Sequence, residues 1–324
     1  MAFWHPMQAW MVLLSVAGGV WAQEQQGGAG PDTPVFRTGV EMVNVVFSVR
    51  DKNGAYVNDL SKDDFTLKVD GEPVLIQHFA RHTDLPLTAG LAIDASFAAR
   101  KTFDQEIDAA RQFLHGIMQS GDRAMLSGFG VKVAIWQKPT SSLDALNSVL
   151  DNVKQLVPKL KVKFKEEGRT QDGMMVSVSC LGGGRLYDAV DVVSRQELSP
   201  FTGRKTIVVL TTSRDCDSTD SLEQAARAAQ ESEVVVYGLH YAGTFGFGRQ
   251  YLSELSAATG GRTFSVDSQK SVQEAFRAIE AEIRNQYAIG FTPPSTRKKD
   301  VQHKIQLHTV KPGLVVQSRR AYFR

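Results

Sequence analysis

The spacing of hydrophobic positions changes twice along the chain and divides it into three blocks. From Glu41 to His82 the spacing is two: in "VEMVNVVFSVRD", Met42, Val45, Phe47 and Val49 stand among β-forming residues, the pattern of half-buried strands. Asn53-Gly54 and Asp70-Gly71 interrupt the alternation. Such pairs supply the positive backbone angles of tight hairpin turns, so "DDFTLKVDGEPVLIQHFA" reads as a hairpin turning at Asp70-Gly71. No helical spacing occurs in this block.

Between Thr88 and Asn285 the pattern becomes continuous apolar runs alternating with helical spacing. The runs "AGLAID", "RAMLSGFG", "TIVVLTT" and "EVVVYGLHY" predict strands buried on both faces. Helices are predicted over Ala99 to Met118, Leu143 to Val157, Leu186 to Glu197, Ser221 to Glu231, Arg249 to Ala258 and Ser271 to Asn285. In the first of them Phe103, Ile107, Ala110, Phe113, Leu114 and Ile117 recur three and four apart and make one apolar face. Buried strands separated by amphipathic helices imply an α/β fold, a doubly wound and mostly parallel sheet covered by helices on each side. One pair departs from the rule. "AMLSGFGVKVAIWQ" joins two strand-like runs through a turn at Gly128 to Val131, too short for a parallel crossover, so one strand is expected to be antiparallel.

After Asn285 strand patterns return in "QYAIGFTPP", "VQHKIQLHTV" and "GLVVQSRRAYF", punctuated by Pro293-Pro294 and Pro312-Gly313. Neither this tail nor the first block has strands enough to cover both faces of a sheet alone. The economical expectation is that the two blocks pair into one discontinuous β-sandwich into which the α/β domain is inserted; the alternative is two separate β modules.

The first residues are read apart from the fold. "WMVLLSVAGGV", Trp10 to Val20, has the length of a signal-peptide core, and Val20-Trp21-Ala22 before Gln23 offers a cleavage site; a buried apolar helix is the alternative. It is too short to span a bilayer. No Cys follows it, so a lipid anchor is not indicated. Gln23 to Pro34 is polar and Gly-rich, as linkers are. The expected organisation is a signal peptide at 1–22, a linker at 23–40, the first sandwich part at 41–85, the α/β domain at 86–285 and the second sandwich part at 286–324. The mature chain is then secreted, periplasmic or held in the cell envelope, with no stable membrane span.

Composition narrows the partners. With 42% hydrophobic and 22% charged residues the chain is not disordered as a whole. Its 37 basic and 35 acidic side chains leave a formal charge of +2, no basis for a field that attracts nucleic acid. Glycines in "CLGGGRLYDAV" precede a helix but have neither dinucleotide nor P-loop spacing. The seven histidines show no metal-ligand spacing. Ser127-Gly128-Phe129-Gly130 leads into a hairpin, where a nucleophile elbow needs a helix. No catalytic constellation emerges, and the chain is not expected to be an enzyme. "KLKVKFKEE", Lys159 to Glu167, alternates Lys with apolar residues. It reads as an edge strand protected by lysines, or as a basic strip for an acidic partner.

The order of these parts resembles the von Willebrand factor type A fold, in particular exported bacterial proteins with a related domain that are abundant in acidobacteria. The segments that carry the resemblance are the first β block, "LAIDASFAARKTFDQEIDAARQFL", "SGDRAMLSGFGVKVAIWQ", "GGGRLYDAV", "GRKTIVVLTTSRDCD" and "TGGRTFSVDSQKSVQEAFRAIEAEIRNQYAIGFTP". The resemblance implies a divalent-cation site at the carboxyl ends of the strands, built from an Asp-x-Ser-x-Ser loop, a Thr and an Asp. Here Asp94 and Ser96 match, while Ala98, Gly184 and Thr212 stand at the remaining positions. The candidate metal residues are therefore Asp94, Ser96 and Thr212, and a site so reduced would hold magnesium weakly; no cofactor is expected. The alternative role for Asp94 is to cap the following loop through backbone N–H groups. Asp215 and Asp217 could replace the lost ligands only if their loop folded back over the site.

The resemblance also places the loops of Gly184 and Thr212 side by side. It thereby makes Cys180 and Cys216, the only cysteines, candidates for a disulfide in an oxidising compartment; two unlinked thiols are the alternative. The function implied is a non-enzymatic binding or adhesion-type module with a degenerate metal-ion-dependent adhesion site, its partner a protein or other extracellular macromolecule. A spacer in a cell-envelope assembly, and an enzyme on the α/β sheet, are the competing readings.

Overall fold

The structure is a computed structural model that describes residues 42–81, 85–96, 98–156, 184–212, 215–241, 248–293 and 301–323. The expected signal peptide and linker, the Lys159 to Glu167 stretch and Cys180 lie outside the described residues.

The first block forms β1 (Val43–Arg50), β2 (Phe65–Val69), β3 (Glu72–Val74) and β4 (His78–Arg81). β2 alternates buried and exposed residues along its length, and the β2–β3 turn at Asp70-Gly71 takes positive φ at both positions (51° and 89°), as a two-residue hairpin requires. The middle block supplies β5 (Leu87–Asp94), β6 (Arg123–Phe129), β7 (Val133–Thr140), β8 (Arg204–Thr211), β9 (Val234–Tyr241) and β10 (Thr263–Val266). Its helices are α1 (Phe103–Ile117), α2 (Leu143–Leu156), α3 (Leu186–Val192), α4 (Leu222–Glu231), α5 (Arg249–Thr259) and α6 (Gln269–Arg284). The tail forms β11 (Gln286–Phe291), β12 (Gln302–Thr309), β13 (Val315–Ser318) and β14 (Ala321–Phe323). No helix among the described residues is long and apolar enough to cross a membrane.

The six middle strands form one sheet in the order β10-β9-β8-β5-β6-β7. All neighbours are parallel except β6 and β7, which pair antiparallel. β5, β8 and β9 are buried at every position, because α1, α2 and α6 pack on one face and α3, α4 and α5 on the other. This is the doubly wound α/β sheet with one antiparallel strand. The chain leaves β5 toward β6 on one side and returns to β8 on the other, so the strand order reverses between β5 and β8. In such sheets the crevice for ligands opens at the carboxyl ends of those two strands. The hydrophobic pattern does not announce β10, which has four residues at the sheet edge of which only Val266 is buried, nor does it separate β4 from β3 or β14 from β13, which belong to different sheets.

The first and last blocks share hydrogen-bond ladders. β11 lies between β1 and β4, β13 pairs with the other side of β1, and β12 pairs with β2. The result is two antiparallel four-stranded sheets, β13-β1-β11-β4 and β14-β12-β2-β3. They enclose a common core of Phe47, Phe65, Ile289, Phe291, Leu307 and Tyr322 among others. Each block thus covers apolar surface that the other would leave wet. Sandwich and α/β part belong to one compact unit.

Candidate functional site

Asp94 ends β5, fully buried, at the carboxyl edge where the strand order reverses. Its Oδ1 accepts the Ser96 backbone N–H at 2.9 Å, closing a local turn, and its Oδ2 accepts the Thr211 hydroxyl at 2.6 Å. Thr211 reaches it because β8 runs parallel to β5 in a register that pairs Ile93 with Leu210. Thr211 is not a position that the resemblance points to; that position is the next residue, Thr212. The pairing of β5 with β8 was the available signal, since residues at matching strand ends must meet.

Gly184 lies against the same carboxylate. A Cβ at this position would sit 3.7 Å from Asp94 Oδ1, but only 2.9 Å from Cδ2 of Phe129. The position is therefore aimed at the site, and the buried Phe129 ring at the end of β6 fills the space a side chain there would enter. Ala98 begins a short 3-10 turn that leads into α1. Ser96 Oγ and Thr212 Oγ1 are buried with no hydrogen-bond partner among the described residues.

Asp215 has another task. Its Oδ2 accepts the Tyr187 N–H at 2.9 Å at the start of α3 and the Ser218 hydroxyl at 2.5 Å, so it holds the entry of that helix. Asp217 is exposed. Glu106 of α1 is the second carboxyl near Asp94. Burial, and then the Asp94 charge, push its pKa well above the ordinary range, and Thr102 Oγ1 donates to its Oε1 at 2.8 Å.

Ala98 and Gly184 contribute no side-chain oxygen to this donor set. Magnesium demands near-octahedral oxygen coordination and usually more than one anionic contact. Here the fully buried Asp94 already spends one oxygen on a backbone N–H and the other on Thr211, and Phe129 stands where a further ligand would enter. Among the described residues no group of three or more His, Cys, Asp and Glu side chains is arranged to hold a metal ion.

The neighbouring strand end continues the row. His240 of β9 pairs in register with Thr211; burial, and then the nearby charge of Arg249, lower its pKa, and its Nε2 has no partner among the described residues. Tyr241 follows, its hydroxyl equally unpartnered, its pKa raised by burial and then by Glu106. Beside the rim, Gly184 bridges Asp215 in parallel fashion, and Cys216 N–H donates to Gly184 O at 3.3 Å. Cys216 is disulfide-bonded, while Cys180 lies outside the described residues.

No family model and no curated protein matches the chain. Solved structures do. Proximal thread matrix protein 1 from the mussel byssus aligns over 67% of this chain and 51% of its own at 11% identity, with a TM-score of 0.47. BatB from Bacteroides thetaiotaomicron aligns over 61% and 97% at 18% identity, TM-score 0.44. The SpRpn10 VWA domain aligns over 60% and 95% at 12% identity, TM-score 0.39. The chain spans about half the length of the mussel structure. The central sheet is the mostly parallel, doubly wound α/β sheet with one antiparallel strand that the hydrophobic pattern predicts.

Proposed function

We propose that the chain is an exported protein-binding or adhesion-type module. It holds another extracellular macromolecule at the carboxyl ends of β5, β8 and β9 without a resident divalent cation, and it does no chemistry on its partner. One observation carries the reading. Five buried polar atoms without partners among the described residues, on Ser96, Glu106, Thr212, His240 and Tyr241, belong to this one rim. Buried polar groups are paired almost everywhere in native proteins, so such a concentration marks a place where stability has been traded for recognition.

The test is crosslinking capture from an envelope extract by the full chain, once with magnesium and once with a chelator, beside a Thr212→Val variant. The same partner is expected under both ionic conditions, with reduced yield from the variant. Capture that disappears with chelator would overturn the cation-free reading. Capture indifferent to Thr212→Val would place recognition away from the rim.

A further inference from the structure

At the opposite end of the central sheet, where β8 and β9 begin, the α/β part meets the sandwich around a cavity of about 160 Å³. Asn44 of β1, His78 of β4, Lys205 of β8, Glu233 before β9, and Gln286 and Gly290 of β11 contribute to its wall. Room is left there by Gly290, where a Cβ would come within 3.0 Å of Asn44 Oδ1.

The charges around this cavity do not balance. The Lys205 side chain is only 7% exposed, and its Nζ lies 3.8 Å from Glu233 Oε2, beyond hydrogen-bonding distance. Burial lowers its pKa, against the opposing pull of Glu233. Arg319 is 7% exposed and lines an adjoining groove together with Asn44 and Glu233. Its Nη2 donates to Asn44 O at 2.6 Å, while its Nε has no partner among the described residues. Burial brings its pKa down to about 10, and Glu233 again acts the other way. Lys205 and Arg319 thus look to a single carboxylate, whose side chain is 43% exposed, and Arg204, buried in the cavity wall, adds a third positive charge whose guanidinium donates to Leu85 O and Ile283 O.

Glu233 itself is held awkwardly. Its φ of 57° is in the left-handed region, where glycine would be unstrained and a side chain is not. The turn from α4 into β9 therefore carries a carboxylate at a conformational cost, and that carboxylate accepts the Asn44 side-chain amide and faces the Lys205 ammonium. Being half exposed, it can swing outward and leave both donors to another acceptor.

We propose that this junction cavity is a binding site for a small carboxylate anion, received by Lys205 Nζ and Asn44 Nδ2 in place of Glu233. An ammonium on a side chain only 7% exposed, held 3.8 Å from its counter-charge, gains from an acceptor at hydrogen-bonding distance, and the anion supplies the counter-charge that Lys205 and Arg319 now share. Because the donors come from β8 and β1, the ligand would tie the sandwich to the α/β part. It would act independently of the rim at the other end of the sheet.

Sodium acetate is the probe, titrated into the full chain at neutral pH against sodium chloride at constant ionic strength, with the thermal midpoint and the line width of labelled acetate as readouts. The expected result is a saturable rise of the midpoint and broadening of the acetate line. Glu233→Gln, which removes the competing carboxylate, should bind several-fold tighter, and Lys205→Met should lose the response. An effect that never saturates, or that is equal in wild type and Glu233→Gln, reveals a general salt effect and overturns the proposal, as does saturable binding retained by Lys205→Met. Should Lys205→Met fail to fold, the comparison of wild type with Glu233→Gln decides alone.

Discussion

At Phe129 the ring comes within 2.9 Å of where a side chain at position 184 would begin, and this contact shows what the sequence could and could not convey about the rim. That Ala98, Gly184 and Thr212 stand where the resemblance expects other oxygen ligands is visible in the sequence alone. The plug that fills the space, and the Thr211 hydroxyl that occupies one Asp94 oxygen, depend on which atoms meet across strands and have no linear signature. The same holds for His240, which has the chemistry of a titrating group but no metal-like spacing. Its folded pKa lies below the ordinary value of 6.5 because burial disfavours the imidazolium. A depressed pKa means that the unfolded chain binds the proton first, so its contribution to stability is present in full above 6.5 and is lost as pH falls through the folded pKa. Denaturant unfolding of wild type and His240→Gln across this range should show a stability that declines toward acid in the former and declines less in the latter. Parallel profiles would mean that His240 is not the group responsible.

At the scale of elements, the long buried strands and amphipathic helices were legible because their periodicities are strong. β10 was not, since one buried residue in four gives no run. The rim loops are held in a way that only contacts could show. Asp188 Oδ1 accepts the N–H groups of Thr219 and Asp220 at 2.8 and 2.9 Å, and Asp215 holds the first turn of α3, so the segment after β8 is stitched to the helix after Gly184. The disulfide at Cys216 adds a covalent tie. Pairing with Cys180, the other cysteine of the chain, would close a loop of about 35 residues worth ~3–4 kcal/mol by the chain-entropy account. Thiol titration of the denatured, unreduced, exported protein should find no free thiol; two per chain would refute the pairing.

At the scale of the whole molecule, counting strands was sufficient to foresee that the two ends of the chain need each other, because neither block could bury a sheet face alone. The junction cavity was beyond such reasoning. Asn44, Lys205, Glu233 and Gly290 are far apart in the chain, and no residue type among them is unusual until the fold brings two buried cations to one carboxylate. The two ends of the central sheet thus carry different chemistry, a rim of buried hydroxyl, carboxyl and imidazole groups above and a charged cavity below. Whether the rim works without a cation is decided by calorimetric titration of magnesium and manganese into metal-free protein. The wild type should give no saturable heat. The combined variant Ala98→Ser, Gly184→Thr, Thr212→Asp and Phe129→Ala, which returns two hydroxyls and a carboxylate and removes the obstructing ring, should bind. Low-micromolar affinity in the wild type, abolished by Asp94→Ala, would contradict the cation-free reading.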